Sequence, residues 1–75
     1  MTEILELVSQ GKGYLENGQY TEALECFEQA ILLNQSDSEL WNFKAVSLRS
    51  MGRYEEAVEC FNKSLEIDPR DKNAS

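Results

Sequence analysis

The chain has 75 residues, of which 14 are acidic and 7 basic, giving a formal charge of −7 and a pI near 4.4. Phosphate backbones repel a surface of that sign, which argues against a nucleic-acid partner. No apolar run approaches the ~20 residues of a membrane-spanning helix. The start, residues 1–4, does not show the basic and apolar pattern of a signal peptide. These features favour a small cytoplasmic domain with neither nucleic acid nor membrane as partner.

The first helix is predicted over residues 4–17, where apolar side chains follow the i, i+3, i+4, i+7 spacing of one helical face. Thr2 is expected as its N-cap and Gly18 as its end, because glycine adopts the left-handed conformation of a C-terminal cap. A second helix is predicted from Thr21 to Asn34. Its predicted buried stripe consists of Ala23, Leu24, Phe27, Ala30 and Ile31.

A polar link precedes the third helix, which is predicted from Ser38 to Met51 and ends at Gly52. Ser36 and Glu39 fit the Ser-x-x-Glu capping box at the start of this helix. In that arrangement each side chain accepts a backbone N–H of the first turn.

The fourth helix is predicted from Glu55 to Asp68, and Pro69 ends it because proline cannot continue a helix interior. Residues 70–75 have no apolar periodicity and are expected to fray. The sequence therefore predicts an all-α fold of four antiparallel helices.

A repeat dominates the sequence. The segment from Gly18 to Phe27 recurs 34 residues later, from Gly52 to Phe61, with tyrosine, alanine, cysteine and phenylalanine at matched places. Tyr20 and Tyr54 are expected to fill the corner after each glycine. A fixed period of this length indicates a repeat architecture, in which each unit buries its apolar face against a neighbour.

These residues resemble the tetratricopeptide repeat, a helix-turn-helix unit of 34 residues. Repeat one is predicted over 4–37 and repeat two over 38–71, within one domain of 1–75 that ends in a tail at 72–75. The resemblance implies a short right-handed α-solenoid, a scaffold whose concave groove binds a peptide or helix of a partner protein. The matching residues are Leu7, Gly11, Tyr14, Ala23, Phe27 and Ala30, then Trp41, Ala45, Leu48, Ala57, Phe61 and Pro69.

In this family the first helix of each repeat lines the groove, and Lys12 and Arg49 would meet partner carboxylates. The chaperone-binding clamp of one subfamily is not supported, since it needs asparagine at the place of Phe43 and further basic residues. The alternative interpretation is a merely solvated helix face. By register, the groove positions are Leu5, Val8, Lys12, Leu15, Glu39, Asn42, Val46 and Arg49.

The sequence holds two units, whereas repeat arrays usually need three or more for stability. Part of the last helix is therefore expected to lack a cover. One hypothesis is self-association through these uncapped edges, giving a homodimer or a longer stack. The other is a fragment or minimal engineered module that is completed by a partner, or that exists mainly as a self-assembling structural unit. The self-association candidates are Val58, Phe61, Leu65 and Ile67.

Catalysis has little support in the sequence. There is no histidine, which removes the commonest general base and metal ligand. Cys26 and Cys60 occupy equivalent places in the two repeats, about 10 Å apart at helix-packing distances, so a disulfide is not expected. A soft metal bound by these thiols across two chains is a third, weaker hypothesis. We therefore predict no catalytic residue, no cofactor and no metal ligand.

Overall fold

The computed structural model describes residues 2–69, and the helices begin and end close to their predicted positions. No strand lies within these residues, so the all-α prediction is confirmed. The tail 70–75, which was expected to fray, lies outside the described residues. The four helices are α1 (Thr2–Glu16), α2 (Tyr20–Leu33), α3 (Ser38–Ser50) and α4 (Tyr54–Ile67).

The helices pack in chain order: α1 on α2, α2 on α3 and α3 on α4. The short links between them turn the chain back on itself at every step, which places successive helices side by side. Helices α2 and α3 consequently have a neighbour on two sides. Within the described residues α1 and α4 each pack against one neighbour in this series.

The two glycine turns are built alike. Gly18 and Gly52 have φ angles of 77° and 82°, in the left-handed region. The N–H of Gln19 donates to the Tyr14 carbonyl at 2.8 Å, and the N–H of Arg53 donates to the Leu48 carbonyl at 2.9 Å. This 6→1 bond is typical of the glycine C-cap. The predicted helix ends at both glycines are confirmed.

The start of α3 differs from the prediction. Asp37, not Ser36, is the N-cap, and its Oδ1 accepts the N–H of Glu39 at 3.0 Å. The N–H of Ser36 donates instead to Oδ1 of Asn34 at 3.1 Å. The predicted capping box is wrong: α3 begins at Ser38 as predicted, so its cap is the residue directly before it, Asp37, and aspartate caps a helix as well as serine does. The N-cap assigned to Thr2 is wrong as well, since α1 already includes this residue.

The core follows the predicted stripe of α2, whose five residues are all buried, together with Cys26, which the stripe did not include. Two apolar clusters share this helix. One joins α2, α3 and α4, the other joins α1, α2 and α3, and Trp41 packs against both. The first contains Leu24, Ala45, Leu48, Ala57 and Cys60, and the second Ile4, Ala30, Ile31 and Leu40.

Phe27 of α2 holds α1 and α3 in place. Its ring is fully buried and stacks on Phe43 of α3 with centroids 5.0 Å apart. Gly11 of α1 lies at the outer edge of the ring, where an added Cβ would stand 2.5 Å from Cζ of Phe27. The absence of a side chain at Gly11 therefore lets α1 approach α2 closely enough to share a face with α3.

The tyrosines after the glycines do not have the same role. Tyr20 is half-buried, but Tyr54 is 65% exposed. The prediction that both fill a corner is wrong for Tyr54. The backbone bonds of the glycine cap close that turn without help from the ring.

Candidate protein-binding surfaces

The first candidate is the α1–α3 face, defined by the eight residues predicted to line the groove. Lys12 of α1 places its amino group 5.1 Å from the centre of the Phe43 ring on α3. A cation above an aromatic face is attracted by the ring quadrupole, with about 0.5–1 kcal/mol at exposed sites. This contact joins the two helices and leaves the lysine head on the surface.

Half of these eight residues are exposed and half are partly buried. Lys12 lies beside α3, whereas Arg49 turns towards α4 and stands 6.0 Å from the centre of the Phe61 ring. Leu5 is 71% exposed and lies by Ser9 at the other end of α1. The exposed members are Leu5, Lys12, Glu39 and Arg49, and the partly buried ones are Val8, Leu15, Asn42 and Val46.

The basic side chains fall into two groups. Lys44, Arg53 and Lys63 each lie within 4.0 Å of a glutamate. The two remaining basic residues of the described chain, Lys12 and Arg49, have no carboxylate in reach and lie over aromatic rings instead. The α1–α3 face thus carries cations that the protein does not neutralise itself.

Arg53 shows the contrast. Its guanidinium donates to both carboxylate oxygens of Glu56, at 2.8 and 2.7 Å. This hydrogen bonding lowers the pKa of Glu56. Both side chains are exposed and each satisfies the other, so the pair offers no open charge to a partner.

The second candidate is the α4 face, defined by Val58, Phe61, Leu65 and Ile67. Val58 is 55% exposed, and the other three are partly buried. The equivalent residues of repeat one, Leu24 and Phe27, are 7% and 0% exposed. Val58, Phe61 and Leu65 follow one another at steps of three and four residues and form an apolar strip that this chain covers only in part, whereas Ile67 lies on the opposite side of α4.

The third surface was missed by the sequence interpretation. We call it the α1–α2 edge, a groove of about 420 Å³. Leu32 and Leu33, at the end of α2, are 75% and 50% exposed and form part of its apolar lining. Their position beside the buried stripe, as two consecutive leucines, was the signal. The lining residues are Glu3, Glu6, Leu7, Gln10, Gln29, Leu32 and Leu33.

A fourth depression, where α2 meets α3, has walls that are joined by contacts between the two helices. Trp41 donates from Nε1 to the carbonyl of Gln35 at 3.0 Å. The Lys44 amino group lies 5.5 Å from the centre of the Trp41 ring and 3.6 Å from a Glu28 carboxylate oxygen. These contacts join the two repeats, so we assign this depression to structure rather than to binding.

The thiols of Cys26 and Cys60 are free and buried. Burial raises the pKa of both, and the nearby Glu25 adds to the effect at Cys26. A raised pKa keeps a thiol protonated and unreactive near neutral pH. No group of three or more metal-ligating side chains occurs among residues 2–69. In the same residues, no helix has both the length and the apolar character needed to span a bilayer.

Four helices stacked in series, with open helix faces, define a short α-solenoid. The comparison with known families agrees. A family model described as Tetratricopeptide repeat matches residues 8–72, and the chain belongs to that family. Repeats of this kind mediate protein–protein interaction and are not catalytic. No curated protein matches the chain.

Proposed function

We propose that the chain binds a protein partner through the α1–α3 face and takes an extended peptide or a helix that carries carboxylates. The observation that supports this most is that Lys12 and Arg49 are not paired with a carboxylate of the described residues. They are the basic side chains of the described residues without a carboxylate in reach. Each would gain a charge-assisted hydrogen bond from a partner carboxylate.

Local charge supports an acidic partner at this face despite the acidity of the whole chain. The eight residues of the face contain two cations and one carboxylate, Glu39, which sums to +1 against −7 for the chain. Acidic segments are therefore repelled over most of the surface and attracted here. The Phe43 ring under Lys12, together with the partly buried Val8 and Val46, offers apolar contact on the same face.

The test is selection from a displayed peptide library, followed by affinity measurement on the selected peptides. We expect acidic peptides with apolar residues between their carboxylates. The double variant Lys12→Glu and Arg49→Glu should weaken binding by about tenfold or more, because each cation becomes a repulsive charge.

The matched control is Arg53→Glu with Lys63→Glu, which changes the net charge by the same amount outside the α1–α3 face. This control should keep most of the affinity, since exposed pairs such as those it breaks contribute little. Equal losses in the two double variants would reduce the effect to overall charge and contradict the proposal.

We also propose that the chain self-associates through the α4 face. Val58 supports this candidate, because a large apolar residue that is 55% exposed stands where repeat one has Leu24 at 7%. Burying such side chains contributes about 1.5–3 kcal/mol each when burial is complete. A twofold contact would set α4 against α4 of a second copy.

Sedimentation velocity on two matched variants tests the self-association. Val58→Asp should give a monomer, because it places a charge in the contact. Leu5→Asp makes the same kind of change on an exposed residue of α1 and should leave the dimer intact. Two results would count against self-association through the α4 face. One is a wild-type chain that stays monomeric at high concentration, and the other is loss of the dimer in both variants.

A further inference from the structure

We infer that the α1–α2 edge is a docking site for a partner helix that has an apolar stripe with a basic residue, lysine or arginine, at its centre. This partner is distinct from the acidic segment proposed for the α1–α3 face. The molecule itself contains a model for such a site. Helix α2 covers a face of α3, and the equivalent face of α1 is the one at the α1–α2 edge.

The repeat register sets the comparison. Moving back 34 residues takes Trp41 to Leu7 and Lys44 to Gln10. Trp41 and Lys44 lie in the depression where α2 covers α3, and Leu7 and Gln10 lie in the groove of the edge. The face of α1 that carries Leu7 and Gln10 thus corresponds to the face of α3 on which a helix packs.

Apolar surface at the edge is available for such a helix. Leu5, Leu32 and Leu33 are three of the five large hydrophobic residues that are exposed in the described chain. Leu32 and Leu33 line the groove, and Leu5 lies next to it, in a depression that shares Glu6 and Gln10 with the groove. Large exposed apolar patches with a polar rim are typical of interaction sites.

One position determines the chemistry of the partner. Leu40 of α3 is 1% exposed and belongs to one cluster with Ala30 and Ile31 of α2. Its equivalent on α1 is Glu6, an exposed residue in the groove lining. Suppose that a partner helix set an isoleucine against Glu6, as α2 sets Ile31 in one cluster with Leu40. It would then bury the Glu6 carboxylate without a partner, which is strongly unfavourable. A lysine or arginine would pair with it instead.

The rest of the rim agrees with a basic partner. Glu3 is the second carboxylate of the groove, and no lysine or arginine is among its lining residues. The apolar stem of a lysine can lie along Leu32 while its amino group reaches Glu6.

A second copy of this chain does not meet the requirement. If its α4 packed on α1 as α2 packs on α3, the residue at the place of Ile31 would be Leu65. Leu65 cannot pair with Glu6, and Glu66 beside it adds like charge. Glu6 thus acts against head-to-tail stacking of copies, so self-association through the α4 face stops at the dimer.

The probe is a synthetic peptide with the sequence of residues 18–35, kept helical by a staple between positions 25 and 29, both exposed in α2. In α2, Glu28 contacts Lys44 of α3. The position of α1 that is equivalent to Lys44 is Gln10, so the peptide carries Glu28→Gln to match it. One form keeps Ile31 and the other carries Ile31→Lys. Both forms are titrated against the wild-type chain and against its Glu6→Leu variant by calorimetry.

We expect the wild-type chain to bind the Ile31→Lys peptide more tightly by about tenfold or more. The Glu6→Leu variant should reverse this preference. Leu32→Arg should remove binding of the lysine peptide, and Asn62→Arg, at an exposed position of α4 outside the proposed binding surfaces, should leave it unchanged.

Three results would overturn the inference. They are equal binding of both peptides to the wild-type chain, an unchanged preference in Glu6→Leu, and failure of the helical lysine peptide to bind at millimolar concentration. Circular dichroism of the variants separates loss of binding from loss of fold, and Glu6→Leu changes an exposed residue that the fold does not need.

Discussion

Equivalent positions of the two repeats differ in burial. Those between α2 and α3, which we call the inner joint, are covered, whereas those on the outer faces of α1 and α4 are not. Leu24 is 7% exposed and its equivalent Val58 is 55% exposed. Leu40 is 1% exposed, while Glu6, its equivalent, lies on the surface. In a repeat protein the neighbour, and not the residue type alone, decides what a position does. Positions that form core between α2 and α3 are exposed on α1 and α4.

The largest expected effect compares the two repeated phenylalanines. Phe27→Ala should lower the free energy of unfolding by about 3–5 kcal/mol, because it empties a fully buried site between three helices. Phe61 is only partly buried, so Phe61→Ala should cost about 1–2 kcal/mol. Urea unfolding at low protein concentration measures both. Equal losses would contradict the difference between inner joint and outer face.

A glycine pair on α1 gives effects of opposite sign. Gly11→Ala places a Cβ 2.5 Å from the buried Phe27 ring, so we expect a loss of about 1–3 kcal/mol. Gly13→Ala meets nothing within 4 Å and should stabilise α1 by about 0.5–1 kcal/mol. Thermal and urea unfolding report the sign. A stabilising Gly11→Ala would show that α1 does not lie this close to Phe27.

The cap of α3 gives a smaller effect. Asp37→Ala should cost about 1 kcal/mol, because the N–H of Glu39 loses its acceptor. Ser36→Ala should change stability by less than about 0.5 kcal/mol, since the bond at Ser36 uses its backbone N–H. The opposite ranking of these two variants would restore the capping box that the sequence favoured.

The smallest effect concerns the thiols, which the two repeats bury alike, at 8% for Cys26 and 6% for Cys60. We expect both to react slowly with iodoacetamide in the folded protein and quickly in urea. Because burial raises the pKa of each in the folded state, their contribution to stability is complete below the pH at which the unfolded thiol ionises. It is lost as the pH rises further. Fast labelling of one thiol in the folded chain would reveal an opening in that repeat.

Much of the fold was predictable from the sequence because its signals are local. The glycine ends at Gly18 and Gly52 and the stripe of α2 follow from backbone conformation and apolar spacing, which the structure retains. The cap of α3 was misplaced by one residue, since Ser36 and Asp37 are both good caps and spacing alone does not choose between them.

The surfaces were less predictable because they depend on packing between helices. The eight positions of the α1–α3 face came from the family register, but the role of Phe43 beneath Lys12 requires the stacked ring of Phe27 to be known. Leu32 and Leu33 lie beside the predicted stripe, and only the arrangement of α1 against α2 makes them part of a groove.

The solution mass of the unmodified chain, measured by sedimentation equilibrium from micromolar to millimolar concentration, tests the central claim most directly. The claim is that the α4 face is open and binds its own copy, while Glu6 prevents further stacking. We expect the mass to rise from the monomer value of 8.6 kDa to twice that value and then to stay constant. A mass that stays at the monomer, or one that keeps growing beyond the dimer, would contradict it.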